Sequence, residues 1–307
     1  MRISVCDRAT KKIVEEKVYG KFFLALLYGK IWWLKWLAVL ALPVVTRCSF
    51  LSKWYGHCQK MGWSRRKIAP FIKKFHIDSA EFTHAPSSFR SFNDFFIRTL
   101  KGSARPIATG EDRLVLPADG RYLVFPSIDQ NAGFYVKGQT FDLKTLLRDP
   151  ALTTRYHQGS LVIARLCPTD CHRFCFPVDC IPSKARTFKG PLYSVNPLAL
   201  RDRLSILSEN ERVITTLQTS QFGEILFIEV GATFVGAIRQ TYHPETACKK
   251  GAEKGYFEFG GSCILLLFEP GKVMFDEDLL HTSLSHIEMQ AKMGDSLGRM
   301  AVAAQCK

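Results

Sequence analysis

The sequence predicts an α+β protein in which a β-rich body follows a helical, basic N-terminal region. Three observations predict it. From about residue 111 onward, short apolar runs alternate with Gly, Pro, Asp and Asn, the punctuation of strands and turns. The positive charge is concentrated at one end: residues 1–76 carry 16 Lys and Arg against 3 Asp and Glu, while the other 231 residues carry 26 against 25. Between the two lies the stretch 91–100, whose apolar residues at 92, 95, 96 and 100 share one helical face, with Ser91 as its cap. A chain of 307 residues, 47% hydrophobic and 23% charged, can bury a real core, which excludes a wholly disordered protein.

The first 76 residues read as a basic, amphipathic helical region suited to a membrane surface. Their lysines are interleaved with Phe22-Phe23-Leu24, Ile31-Trp32-Trp33-Leu34 and Trp36-Leu37. Tryptophan rings sit at headgroup depth, and lysine stems reach past them to the charged interface. That pattern favours an anionic bilayer over nucleic acid as the partner, at about 1 kcal/mol per basic residue near the surface. Lys30 and Lys35 interrupt the apolar run, and the clean stretch after Lys35 is only 11 residues. A span needs roughly 20, so the expectation is a helix lying in the membrane plane. A helical layer covering the core is the alternative. Asp7, Glu15 and Glu16 precede the apolar region, which argues against a signal peptide. These features suggest a peripheral protein on the cytoplasmic side of the cell membrane.

The body, residues 77–307, begins with the connecting helix at 91–100 and continues in strands. Candidate strands are 121–125, 161–166, 213–218, 225–230, 233–238 and 264–268. Residues 142–148 and the last thirty read as helical. Ten cysteines, at 6, 48, 58, 167, 171, 175, 180, 248, 263 and 306, form no compact disulfide framework for this length. They fit a reducing compartment.

Three segments carry groups able to do chemistry. Gly260-Gly261-Ser262 stands just before an apolar strand, and its glycines permit a sharply turned peptide. A serine hydroxyl there can attack the preceding carbonyl; the same motif is also an ordinary turn or bulge. Leu116-Pro117-Ala118-Asp119-Gly120 places a carboxylate at the head of a strand, where the common role is an Asx-type turn. Cys167, Cys171, His172, Cys175 and Cys180 lie within fourteen residues. Their x3, x3 and x4 spacings, without a second Cys/His pair downstream, are not those of ordinary zinc sites, and no metal is expected.

Taken in order, these segments resemble the phosphatidylserine decarboxylase family, in its bacterial membrane-associated branch. The resemblance runs through Phe92-Asn93-Asp94-Phe95-Phe96-Ile97-Arg98-Thr99-Leu100, Ala104-Arg105-Pro106-Ile107 and Pro117-Ala118-Asp119-Gly120. It continues with Pro168-Thr169-Asp170-Cys171-His172-Arg173-Phe174 and ends with the stretch from Lys250 to Ser262. The resemblance implies autocatalytic cleavage between Gly261 and Ser262, leaving a β chain of residues 1–261 and an α chain of 262–307 held as a heterodimer. Ser262 would become a covalent pyruvoyl cofactor, whose ketone takes up the amine of phosphatidylserine and releases carbon dioxide to leave phosphatidylethanolamine. Asp119 corresponds to the aspartate of the family's self-cleavage relay, and His172 to a histidine associated with decarboxylation.

One departure stands out. The family's Tyr-His-Arg-x-His pattern is here Cys171-His172-Arg173-Phe174-Cys175, so Cys175 occupies the position of the relay histidine. His172 as base, Cys175 as thiolate, slow maturation and no maturation at all remain open as accounts of the relay. So do two other functions: an inactive lipid-binding or metal-binding homologue, and a pyruvoyl decarboxylase of a soluble amino acid.

Overall fold

The computed structural model describes residues 3–16, 49–128, 142–233, 237–260 and 262–301. One ten-stranded sheet runs in the order β2 (Ile13–Glu15), β1 (Ser4–Asp7), β15 (Glu288–Ala291), β4 (Gly120–Phe125), β5 (Ser160–Leu166), β13 (Ser262–Phe268), β10 (Glu224–Gly231), β9 (Arg212–Gln218) and β7 (Ile181–Pro182). β8 (Arg186–Phe188) also pairs with β9. Two three-stranded sheets accompany it. One orders β11 (Ile238–Gln240), β12 (Glu253–Phe257) and β6 (Arg173–Cys175); the other orders β14 (Val273–Phe275), β16 (Ser296–Met300) and β3 (Arg113–Val115). The helices are α1 (Ser49–Lys60), α2 (Ile68–Phe75), α3 (Phe92–Phe96), α4 (Leu143–Leu147), α5 (Pro150–Arg155), α6 (Pro197–Asp202), α7 (Ile206–Glu209) and α8 (Glu277–Leu284).

The central strands are mostly apolar because both faces of the sheet are covered. Every residue of β5 and of β13 is buried. Side chains alternate across a strand. Ile264, Leu266 and Phe268 pack on one side with Phe174 of β6, Phe257 of β12 and Leu279 of α8. Cys263, Leu265 and Leu267 pack on the other with Leu146 of α4 and Leu200 of α6. Each such side chain contributes about 1.5–3 kcal/mol on burial, so the register of β13 between its neighbours is strongly specified.

A third cluster consists of phenylalanines from α2, α3 and their surroundings: Phe71, Phe82, Phe89, Phe92, Phe95, Phe96 and Phe259. Ser91 caps α3 as the sequence predicts, accepting from Asp94 N at 3.1 Å. Asn93 Oδ1 accepts from Phe259 N at 2.8 Å, which fastens this helix to the segment leading into Ser262.

The strands expected at 121–125, 161–166, 213–218, 225–230 and 264–268 are present, extended by a residue or more. Asp142 caps α4, accepting from Thr145 N at 3.2 Å. Three expectations need correction. Among the described residues of the last thirty, only α8 is helical, and β15 and β16 follow it. The chain before residue 17 forms strands, because β1 pairs in parallel with β15 and takes β2 as its outer neighbour. Of the strand expected at 233–238, only Ile238 is strand among the described residues, at the start of β11. The tryptophan-rich part of the N-terminal region, 17–48, lies outside the described residues. Among the described residues no helix is long and apolar enough to cross a membrane.

Candidate active site

Ser262 opens β13, with Gly231 of β10 and Leu166 of β5 as its cross-strand partners. Gly260, two residues earlier, has φ +147°, backbone that an L side chain rarely adopts. Gly261 lies outside the described residues. By the alternation of β13, Ser262 shares the face of Ile264 and Leu266. It is completely buried, and among the described residues its Oγ has no hydrogen-bond partner. A buried hydroxyl left without a partner costs about 1–3 kcal/mol, so its persistence is a mark of use rather than of packing.

His172 lies in the chain that leaves β5 and returns as β6. Phe257 N donates to its carbonyl at 2.9 Å. Its ring stacks on Phe96 with centroids 3.7 Å apart, and Phe96 in turn meets Phe259 at 4.9 Å. One phenylalanine of α3 therefore gathers the imidazole and the segment that precedes Ser262. Nδ1 lies 3.1 Å from the carbonyl oxygen of Asp170. A carbonyl only accepts, so Nδ1 carries the proton and Nε2 presents a bare lone pair. That nitrogen is buried and has no partner among the described residues. Burial pulls the pKa of His172 down from 6.5 to about 3; the bond to Asp170 and the charge of Asp119 oppose this, and Arg98 and Arg121 assist it. The imidazole is neutral at physiological pH.

Asp119 makes no local turn of the kind its sequence context suggests. Its Oδ1 accepts from Arg105 Nε at 2.7 Å and from Met293 N at 2.9 Å, and its Oδ2 accepts from Arg105 Nη2 at 2.7 Å. This is the two-pronged geometry of a strong Arg–carboxylate pair. Arg105 also reaches Glu81 at 3.0 Å. Cys175 sits close by, its N donating to Pro117 O at 2.8 Å. Burial pushes the Cys175 thiol up to about 12, and the charge of Asp119 acts in the same direction. Both influences favour the protonated thiol over the thiolate at this position.

The cysteine-rich stretch is divided among separate partners. Cys167 Sγ donates to Glu16 Oε1 at 2.7 Å, and Cys171 Sγ to the carbonyl of Arg98 at 3.3 Å. Among the described residues no group of three or more His, Cys, Asp and Glu could hold a metal ion.

Several charged residues at this site escape sequence reasoning. Glu16 faces Arg121 at 2.8 Å and Arg165 at 2.9 Å; Arg165 reaches Glu288 at 2.5 Å, and Arg121 pairs with the carboxylate of Asp170. Burial alone would raise the pKa of Glu16, but Arg165 and Arg121, with the Cys167 thiol, bring it down to about 2. Arg98, Arg105, Asp119, Arg121, Thr169 and Asp170 line a cavity of about 890 Å³. On the apolar face, Lys254 Nζ is locked against Glu229 Oε1 at 2.5 Å and Gln240 Oε1 at 2.7 Å. Arg98, Arg105 and Lys254 stand inside the motifs of the resemblance, yet nothing in their spacing ties them to their partners, which lie 14 to 71 residues away.

This site and fold define a class of enzyme, the carboxy-lyases, and within it a decarboxylase on an α+β scaffold. The chain belongs to the phosphatidylserine decarboxylase family: the family's sequence model matches residues 92–299, from α3 into β16. The phosphatidylserine decarboxylase proenzyme of Chlamydia felis is 46% identical over 298 residues, covering 97% of this chain and 98% of its own. That of Chlamydia pneumoniae is 45% identical over 293 residues, with 95% and 96% covered. That of Chlamydia muridarum is 48% identical over 251 residues, with 82% and 83% covered.

Proposed function

We propose that this chain is a phosphatidylserine decarboxylase made as a precursor, which cuts itself between Gly261 and Ser262 and works through a pyruvoyl group derived from Ser262. One observation carries the reading: among the described residues a buried serine hydroxyl and a buried imidazole nitrogen both lack partners, and Phe96 stacks on that imidazole while meeting Phe259, three residues before the serine. The surroundings fit a group made from the chain's own serine, since the buried lysine nearby, Lys254, is held by Glu229.

In self-cleavage the Ser262 hydroxyl attacks the carbonyl carbon of Gly261, and the C–N bond breaks as the C–O bond forms, giving an ester. Loss of the Ser262 α-proton then breaks the Cβ–O bond and releases the Gly261 carboxylate. Water hydrolyses the resulting dehydroalanine, releases ammonia and leaves the pyruvoyl group. The neutral Nε2 of His172 is the base that accepts the hydroxyl proton, held in the right tautomer by Asp170 O. Asp119, fixed by Arg105, acts through its charge, which favours the imidazolium as it forms. This is the relay role left to Asp119 once Cys175 has replaced the family's second histidine.

The pyruvoyl group supplies an electron-withdrawing ketone that takes up the substrate's amine and accepts the electron pair freed as carbon dioxide leaves. His172 Nε2 holds and returns one proton at the reacting carbon. Phe96 and Phe259 keep water from it. The basic, tryptophan-rich segment within residues 1–76 brings the site to anionic lipid at the cytoplasmic face of the cell membrane, and chains 1–261 and 262–307 stay together as a heterodimer.

Mass spectrometry of the purified full-length protein tests this. A 262–307 fragment blocked at its N-terminus as pyruvoyl is expected, together with release of carbon dioxide from phosphatidylserine vesicles. An uncut chain that still released carbon dioxide would overturn the mechanism.

A further inference from the structure

Four guanidinium groups line the cavity that includes Thr169 and Asp170, and three of them are spoken for: Arg8 is paired with Asp276 and Asp278. Arg105 is paired with Asp119 and Glu81, and Arg121 with Glu16 and Asp170. Arg98 differs. Among the described residues it has no carboxylate within ion-pair distance; Nη1 donates to Phe95 O at 3.3 Å, Nη2 to Thr169 O at 2.8 Å, and Nε has no partner. A guanidinium carries five N–H donors, so most of its capacity is unclaimed. The residue is only 4% exposed. Burying an uncompensated cation is costly. The rings of Phe82 and Phe95, 5.1 and 4.7 Å away, offset part of that cost. A buried cation with Asp119 and Asp170 near but no carboxylate in contact, on the wall of a cavity, has room for an anion.

Its position says which anion. The carbonyl of Arg98 accepts from Cys171 Sγ, its Nη2 holds Thr169 O, and the neighbouring Asp170 O orients His172. Arg98 thus stands one layer from the imidazole, on the cavity side. Resting on the reading above, we propose that Arg98 binds the phosphodiester of the phospholipid headgroup. The substrate offers a second anion, its carboxylate, but that charge disappears as carbon dioxide leaves. A cation gripping it would favour the ground state over the transition state. The phosphodiester keeps its charge throughout, so a contact to it lowers KM and leaves kcat alone.

The test uses the full-length protein, with R98Q and R98K beside the wild type. Each is first checked for release of the 262–307 fragment. Decarboxylation is then measured on phosphatidylserine in mixed micelles, with two competitors: glycerophosphoethanolamine, which has a phosphodiester and no carboxylate, and O-methylserine, which has the reverse. We expect R98Q to be processed, to raise KM about tenfold or more with kcat within about twofold, and to weaken glycerophosphoethanolamine equally. Inhibition by O-methylserine should not change. R98K, which keeps the charge and loses the fork, should fall between the two. If R98Q does not mature, R98K carries the test, with a KM rise of about threefold expected. An unchanged KM in a processed variant, a kcat that falls in step with KM, or a loss that moves to O-methylserine would overturn the assignment. Calorimetry of glycerophosphoethanolamine on wild type and R98K separates this proposal from the activity itself. Binding weakened in R98K supports the phosphodiester site even if the wild type decarboxylates nothing, and equal binding ends it.

Discussion

Two buried corners of this protein treat polar groups in opposite ways. Around Arg121 and Arg165 every charge faces a counter-charge: Glu16 lies between the two arginines, with Glu288 and Asp170 on their far sides. Around Ser262 and His172 the groups are neutral and their outward hydrogen bonds are unmade. Arg121, Arg165 and Glu288 are buried as Ser262 and His172 are, while Glu16 and Asp170 are half-buried. The paired corner has the character of a fastening, and the unpaired one leaves a hydroxyl and an imidazole nitrogen without partners among the described residues, as the proposed chemistry needs. Asp170 joins them, giving its carboxylate to Arg121 and its carbonyl to His172.

The contrast breaks most sharply at the serine. Ser262→Ala should abolish both the 262–307 fragment and decarboxylation; activity persisting in an uncut variant would assign the chemistry elsewhere. His172→Gln keeps the shape of the ring's polar edge but offers no comparable base. It should slow self-cleavage by about 10²- to 10⁴-fold, read as the half-time of fragment release on gels. In the paired corner the effect should move from rate to stability. Glu16→Gln removes the carboxylate shared by two buried arginines and should cost about 3–5 kcal/mol in denaturant unfolding of the uncut Ser262→Ala background. Equal stability of the two would deny that corner its fastening role.

Acid should weaken both corners, in sequence. His172 titrates near 3 in the folded protein against 6.5 when exposed, so the unfolded chain takes up a proton that the native one refuses. Its share of stability is complete above 6.5 and drains as pH falls toward 3. Glu16, near 2 against 4.5, adds a second loss below 4.5. Urea midpoints from pH 7 to pH 4 should therefore fall, and His172→Gln should flatten the upper part of that slope. The smallest effect belongs to Cys175→Ser. With the thiol protonated, processing should change by less than about tenfold, a barrier shift within about 1.4 kcal/mol. A larger drop would return Cys175 to the relay.

Strands β4, β5, β10 and β13 were legible because two-sided burial writes a largely apolar run into the sequence, and β9 because its Val, Ile and Thr residues favour strand. β15 and β16 were not, because Glu288, Gln290, Ser296 and Arg299 dilute the pattern, and a parallel neighbour 283 positions away holds the first of them in place. Ser262, Asp119 and His172 were legible as a family motif, whereas the partners that set their chemistry were not. Arg105 and Met293 meet Asp119 only through the fold, and the tautomer of His172 depends on which atom of Asp170 comes near. Local spacing carries no record of such contacts.

Strand β13 has neighbours on both sides, and the segments after it enter both the large sheet, through β15, and a smaller one, through β14 and β16. A cut ahead of Ser262 would therefore leave forty-odd residues interwoven with their parent along five strand pairings, β13 with β10 and β5, β15 with β1 and β4, and β16 with β3. The fold is reached once, as a single thread, when loop closure alone brings those strands together. After the cut, a denatured molecule would have to find its missing piece by diffusion, so recovery would depend on concentration where the precursor's does not. Maturation would in this sense erase the route by which the molecule was first assembled.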